Sequence, residues 1–260
     1  MRGFSFSSVI LSYFLVGGGL FTGLLVLGML HVTGEVPGYG MLVAGGFVGG
    51  FIAARASQGS TILEPAIGAV AVVATFVTMV ATTALGAELW HVAQGETMKF
   101  VGLVGACATG GAIGGAFVSE KVHGDATTSP LPWVLYTAFA TFGACVLAMM
   151  IGAFLLAKGT PENAVDNADS LAKMVLLGLV IGCFLAGIVC GAQARIRILF
   201  ASLVGGALGV AGLGLLAAGT GPGPNDKAAA GLAVLAVGGA IVTLIGTAIG
   251  WAAIGKKNAG

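Results

Sequence analysis

The chain has 260 residues, of which 57% are hydrophobic and only 8% charged, with a formal net charge of +1. Soluble domains carry about 25% charged residues, and a mean hydropathy of +1.04 leaves too little polar surface to face water. The composition therefore excludes a soluble domain and, with so few basic residues, a nucleic-acid partner; the lipid bilayer is the solvent.

A helix needs roughly 20 mainly apolar residues to cross a bilayer. The first such run, 8–31, follows Met1-Arg2 and exceeds the roughly 7–15 residues of a signal-peptide core, which predicts an uncleaved first helix. The second, 39–55, carries Gly46 and Gly50 and ends at Arg55. The third, 64–86, opens on Glu64-Pro65 and bears the polar stripe Thr75, Thr78 and Thr82. The fourth, 99–119, has Gly102, Gly110 and Gly114 at multiples of four, with Gly111 and Gly115 as a second row. A linker, 119–132, ends in two prolines. The fifth and sixth runs are 133–156 and 174–193, the sixth with Gly182 and Gly187. Between them Thr160-Pro161-Glu162 predicts a short surface helix. Arg195 and Arg197 flank a tight turn into the seventh, 196–218, and the eighth, 229–254, carries Gly246 and Gly250. None of the runs alternates as barrel strands do, so all eight read as helices.

The runs repeat. Leu42, Val43, Gly45, Phe47 and Gly50 fall on Leu179, Val180, Gly182, Phe184 and Gly187 at an offset of 137. Gly102, Gly110 and Gly114 fall on Gly238, Gly246 and Gly250 at an offset of 136. The expectation is an all-α polytopic membrane protein of two tandem, parallel four-helix repeats, residues 1–125 and 126–260, related by an axis along the membrane normal. Arg2, Arg55, Lys121, Arg195, Arg197, Lys256 and Lys257 share one side against Lys99, Lys158, Lys173 and Lys227 on the other. Basic loops stay inside, which puts both termini in the cytoplasm of a plasma membrane, a bacterial inner membrane. Arg55, Arg195 and Arg197 read as cytoplasmic anchors that snorkel to lipid heads. Trp90, Trp133 and Trp251 fall near span borders, as interfacial aromatics do.

Glycine spaced by four lets two backbones touch, and such contacts replace the hydrophobic effect between helices in lipid. Gly46, Gly50, Gly102, Gly110, Gly114, Gly182, Gly187, Gly246 and Gly250 are the expected packing positions. They serve within the chain or against a second copy or other membrane subunits. The four cysteines, at 107, 145, 183 and 190, all lie in spans and read as small apolar residues. The three histidines divide between the two sides, so no catalytic constellation, cofactor site or metal site is expected. Glu64 and the Thr75, Thr78 and Thr82 stripe are the candidate gate or polar lining, with Thr137, Thr141, Ser202, Thr243 and Thr247 as further hydroxyls. No acid, base or histidine sits mid-span, which argues against ion-coupled transport. The sequence thus favours a non-enzymatic structural, anchoring or complex subunit. The alternative is a permease or channel for a neutral or small solute, or a lipid, with its path between the repeats.

Overall fold

A computed structural model describes residues 5–32, 34–57, 62–82, 96–121, 130–156, 168–194, 198–220 and 226–255. These hold eight α-helices: α1 (Phe6–Met29), α2 (Glu35–Ala56), α3 (Leu63–Thr82), α4 (Glu96–Lys121), α5 (Leu131–Leu156), α6 (Ala168–Gln193), α7 (Leu199–Thr220) and α8 (Asp226–Gly250). A π-helical turn, Trp251–Gly255, continues α8. Long apolar runs become helices because a helix satisfies its own N–H and C=O groups where no water can. Six of the eight, α1, α2, α4, α5, α6 and α8, are long and apolar enough to cross a bilayer. The helices α3 and α7, of 20 and 22 residues, are apolar over Leu63–Thr78 and Leu199–Gly214, as far as their described side chains reach. The 160–162 surface helix, Arg195, Arg197 and Trp90 lie outside the described residues.

Each helix end is set locally. Ser5 precedes α1 in extended geometry. At the far end His31 takes a left-handed φ of 50° and Val32 N–H donates to Leu27 C=O at 3.2 Å, a turn that occupies the orphan carbonyls. Gly34, at φ 127°, makes the next turn, and Glu35 opens α2 with a favourable charge at the helix N-terminus.

The close approaches fix direction. A Cβ on Gly19 would strike Gly45 and one on Gly23 would strike Met41, so α1 and α2 are antiparallel. Gly46 meets Ala108 and Gly50 meets Ala112, so α2 and α4 are parallel. In the same way α5 is antiparallel to α6 through Gly182 and Ala144, and α6 is parallel to α8 through Gly187 and Thr243. In the first half α1 packs on α2 and α3, and α4 packs on α2 and α3. Later in the chain α5 packs on α6 and α7, and α8 packs on α6 and α7. The helices α1 and α5 then pack on each other at the centre.

Burial agrees with that placement. The apolar windows of α1 and α5 are each 56% buried, against 33% for α2 and 28% for α4 and α8. The outer helices turn large apolar side chains outward, Val36, Phe117, Phe200 and Val234 among them. In water such a surface would aggregate; against acyl chains it is the ordinary exterior of a helical, multi-pass membrane protein.

Candidate functional site

The centre of the molecule is the seam between α1 and α5. A Cβ on Gly18 would meet the Phe139 carbonyl, and a Cβ on Gly143 would meet the Phe14 carbonyl. The contact is reciprocal, the pattern of a twofold interface, and it joins backbone to backbone. Leu11, Phe14, Leu15, Trp133, Tyr136, Ala140 and Leu147 fill the core around it, all buried. Trp133 therefore sits inside the seam instead of at the lipid border. Its ring meets Tyr136 edge-on, with centroids 5.5 Å apart.

One end of the seam is closed by a polar clasp. Glu64, in the first turn of α3, is fully buried. Its Oε1 accepts the backbone N–H of Ser5 at 2.9 Å, and its Oε2 accepts the Ser57 hydroxyl at 2.8 Å. Ser5 is the residue preceding α1, and Ser57 follows α2. Glu64 thus does from another helix what a capping-box glutamate does within its own. Ser5 Oγ lies 2.9 Å from Ser7 Oγ, which accepts from Gln193 Nε2 at 2.7 Å. Four helices, α1, α2, α3 and α6, are tied through this chain of bonds, and α6 belongs to the second half of the sequence. The proline after Glu64 has no N–H to leave unpaired at the start of a helix.

The other candidate lining residues do not gather there. Thr75 donates to Ala71 C=O at 2.9 Å and lies 3.0 Å from Tyr13 Oη. Thr78 is on an exposed face, and the side chain of Thr82 is outside the described residues. Thr243 and Thr247 donate to carbonyls of their own helix, at 2.8 and 2.9 Å, and Ser202 to Leu199 C=O at 2.9 Å. Among the described residues the buried hydroxyls of Ser8, Ser12 and Thr141 have no hydrogen-bond partner, and that of Thr137 meets only the Cys190 thiol. All four hydroxyls belong to α1 and α5.

The expected glycine positions divide. Gly46 and Gly50 abut α4, Gly182 abuts α5, and Gly187, Gly246 and Gly250 join α6 to α8. Gly102 and Gly110 instead look onto open space, and Gly114 makes only an ordinary contact with the Phe47 ring at 3.7 Å. On α4 the touching glycines are Gly111 and Gly115, against Val43 and Phe47 of α2. Spacing by four is common to both rows; which one faces a neighbour depends on helix rotation, and spacing carries no information about that. Replacing Gly111 by leucine is expected to cost about 1–3 kcal/mol, read as a lower melting temperature in detergent, whereas Gly110→Leu is expected to leave melting unchanged. Of the cysteines, 145, 183 and 190 are buried, and the Cys145 and Cys183 sulfurs are 3.5 Å apart as free thiols.

The clasp residues Ser5, Ser7, Ser57 and Gln193 were not singled out from sequence. Gln193 gave a usable signal, being an amide at the end of a run free of charge. The serines gave none, since serine at a helix end is ordinary. Comparison with protein-family models, curated proteins and solved structures finds no match for this chain.

Proposed function

We propose that the chain is a non-enzymatic, multi-pass plasma-membrane protein that works as a structural, anchoring or complex subunit, with the bilayer as its solvent. The observation that carries this reading is the seam. A protein built to pass a solute between its halves keeps a polar cavity there near the midplane. Here two helices meet backbone to backbone at Gly18 and Gly143 within an apolar core. The clasp of Glu64, Ser5, Ser57, Ser7 and Gln193 ties one end. The glycine contacts of α2 with α4 and of α6 with α8 would make the rigid walls. Partners would be other membrane subunits or a second copy.

The proposed architecture has eight spans in two tandem repeats, both termini cytoplasmic, in a bacterial inner membrane. The recurring pairings support the repeat: first helix on second and third, fourth on second and third, in each half. Gly45 against Gly19 and Leu20 has its counterpart in Gly182 against Ala144 and Cys145. In single-cysteine variants made in a cysteine-free background, sites at the exposed Glu120 and Lys121 are expected to react from the cytoplasm, and Val36 from outside. Labelling of Lys121 and Val36 from one side would sink the eight-span arrangement.

A second reading, a permease for a small neutral solute, is favoured by one observation: the unpartnered hydroxyls of Ser8, Ser12 and Thr141 beside the seam. Buried hydroxyls normally find partners. Solute flux through reconstituted vesicles separates the two readings, with no flux above protein-free vesicles expected for the first.

A further inference from the structure

Two basic side chains lie at the clasp end of the bundle, on the neighbouring helices α2 and α4. The guanidinium carbon of Arg55 lies 5.6 Å from the Phe51 ring centre, and the Lys121 ammonium lies 4.5 Å from that of Phe117. Each cation rests on the aromatic ring one helical turn before it. The two helices run parallel, and a Cβ on Gly115 would lie 2.8 Å from Phe51 N. One turn further on, Arg55 is therefore level with the Ser119–Lys121 turn. Neither cation has an ion-pair partner among the described residues. The exposed neighbour Glu120 is not paired with either, and the carboxylate of Glu64 is buried in the clasp. Phe117 is 46% exposed, so its ring is open to acyl chains below the charge.

A cation held over a ring at the edge of an apolar bundle is partly stripped of water and lacks a counter-charge. We propose that the α2/α4 end binds one anionic phospholipid. Its phosphate sits between Arg55 and Lys121, and its upper chain lies on Phe51 and Phe117. At the 137-residue offset Phe51 and Arg55 correspond to Ile188 and Ala192, so the α6 end lacks half of the arrangement and the count is one lipid per chain.

Native mass spectrometry of the detergent-purified protein, titrated with phosphatidylglycerol or phosphatidylcholine, tests this. One phosphatidylglycerol is expected to bind in preference to phosphatidylcholine. Arg55→Gln and Lys121→Gln are each expected to weaken it about fivefold, as one basic residue near an anionic lipid surface does. The double variant should lose the preference, while Lys99→Gln with Lys173→Gln, at the other end, should keep it. Phe51→Leu and Phe117→Leu keep both charges and should weaken binding about threefold. They give the reading if the glutamine variants fail to fold, and unchanged affinity in them then counts against the site. Selectivity retained in the double variant, or lost equally in the Lys99 and Lys173 pair, overturns the proposal. So does displacement of the lipid by millimolar inorganic phosphate, which would mark a free-anion site.

Discussion

Alanine at Gly143 is expected to lower the stability of the bundle by about 2 kcal/mol, and leucine by more, within or above the usual cost of overpacking. The added Cβ meets the Phe14 carbonyl and lies 3.0 Å from the Gly18 Cα. Backbone cannot swing aside as the end of a flexible side chain can, so α1 and α5 must separate. Separation uncouples Phe14, Leu15, Tyr136 and Ala140 in the same core. The loss is large because lipid supplies no hydrophobic drive to bring the helices back; close packing is what holds them. Gly18→Ala should match Gly143→Ala, since the contact is reciprocal. Detergent melting curves of both variants measure this, and two unchanged midpoints would mean that the seam is not a backbone contact.

Glu64→Ala is the second large effect. It removes both acceptors at once, leaving the Ser5 N–H and the Ser57 hydroxyl without this partner. A buried donor left unsatisfied costs about 1–3 kcal/mol, and bonds to a charged group sit at the upper end. A loss of about 3 kcal/mol is expected for alanine. Glu64→Gln keeps one oxygen acceptor and should lose about 1 kcal/mol. Gln193→Ala leaves the Glu64 bonds to Ser5 and Ser57 in place and removes the bond from Gln193 to Ser7, so it should resemble the glutamine variant. Equal melting of Glu64→Ala and wild type would reduce the clasp to an incidental contact. The largest and the smaller effects are distinguishable because Glu64 lies in the first turn of α3, away from the Gly18–Gly143 crossing.

The helical membrane class was legible in the sequence because it follows from composition and run length, which need no knowledge of neighbours. Helix rotation was not legible. Gly110 and Gly246 coincide at the 136-residue offset, yet Gly110 faces open space while Gly246 abuts Phe184 of α6. The seam escaped for a different reason. Phe14 and Gly18 match Phe139 and Gly143 at an offset of 125, not 137, because the segment between the first two helices is shorter than that between α5 and α6. A search at one fixed offset passes over the pair. Glu64 was legible as an oddity, an acid before proline at a helix start. Its partners were not, because Ser5 and Ser57 are distant in sequence and chemically plain. Trp133 misled for a related reason: position near a span border suggests lipid, but the rotation of α5 turns it inward.

The claim on which the account rests is that the halves close on each other and nothing passes between them. Solute efflux from proteoliposomes, measured with a graded set of small neutral solutes, tests it most directly. Rates equal to those of protein-free vesicles are expected, and the same rates for Thr137→Val and Thr141→Val. Efflux above that baseline that is abolished when Thr137 or Thr141 is replaced by valine would contradict it, and would make the hydroxyls along α1 and α5 the lining of a path.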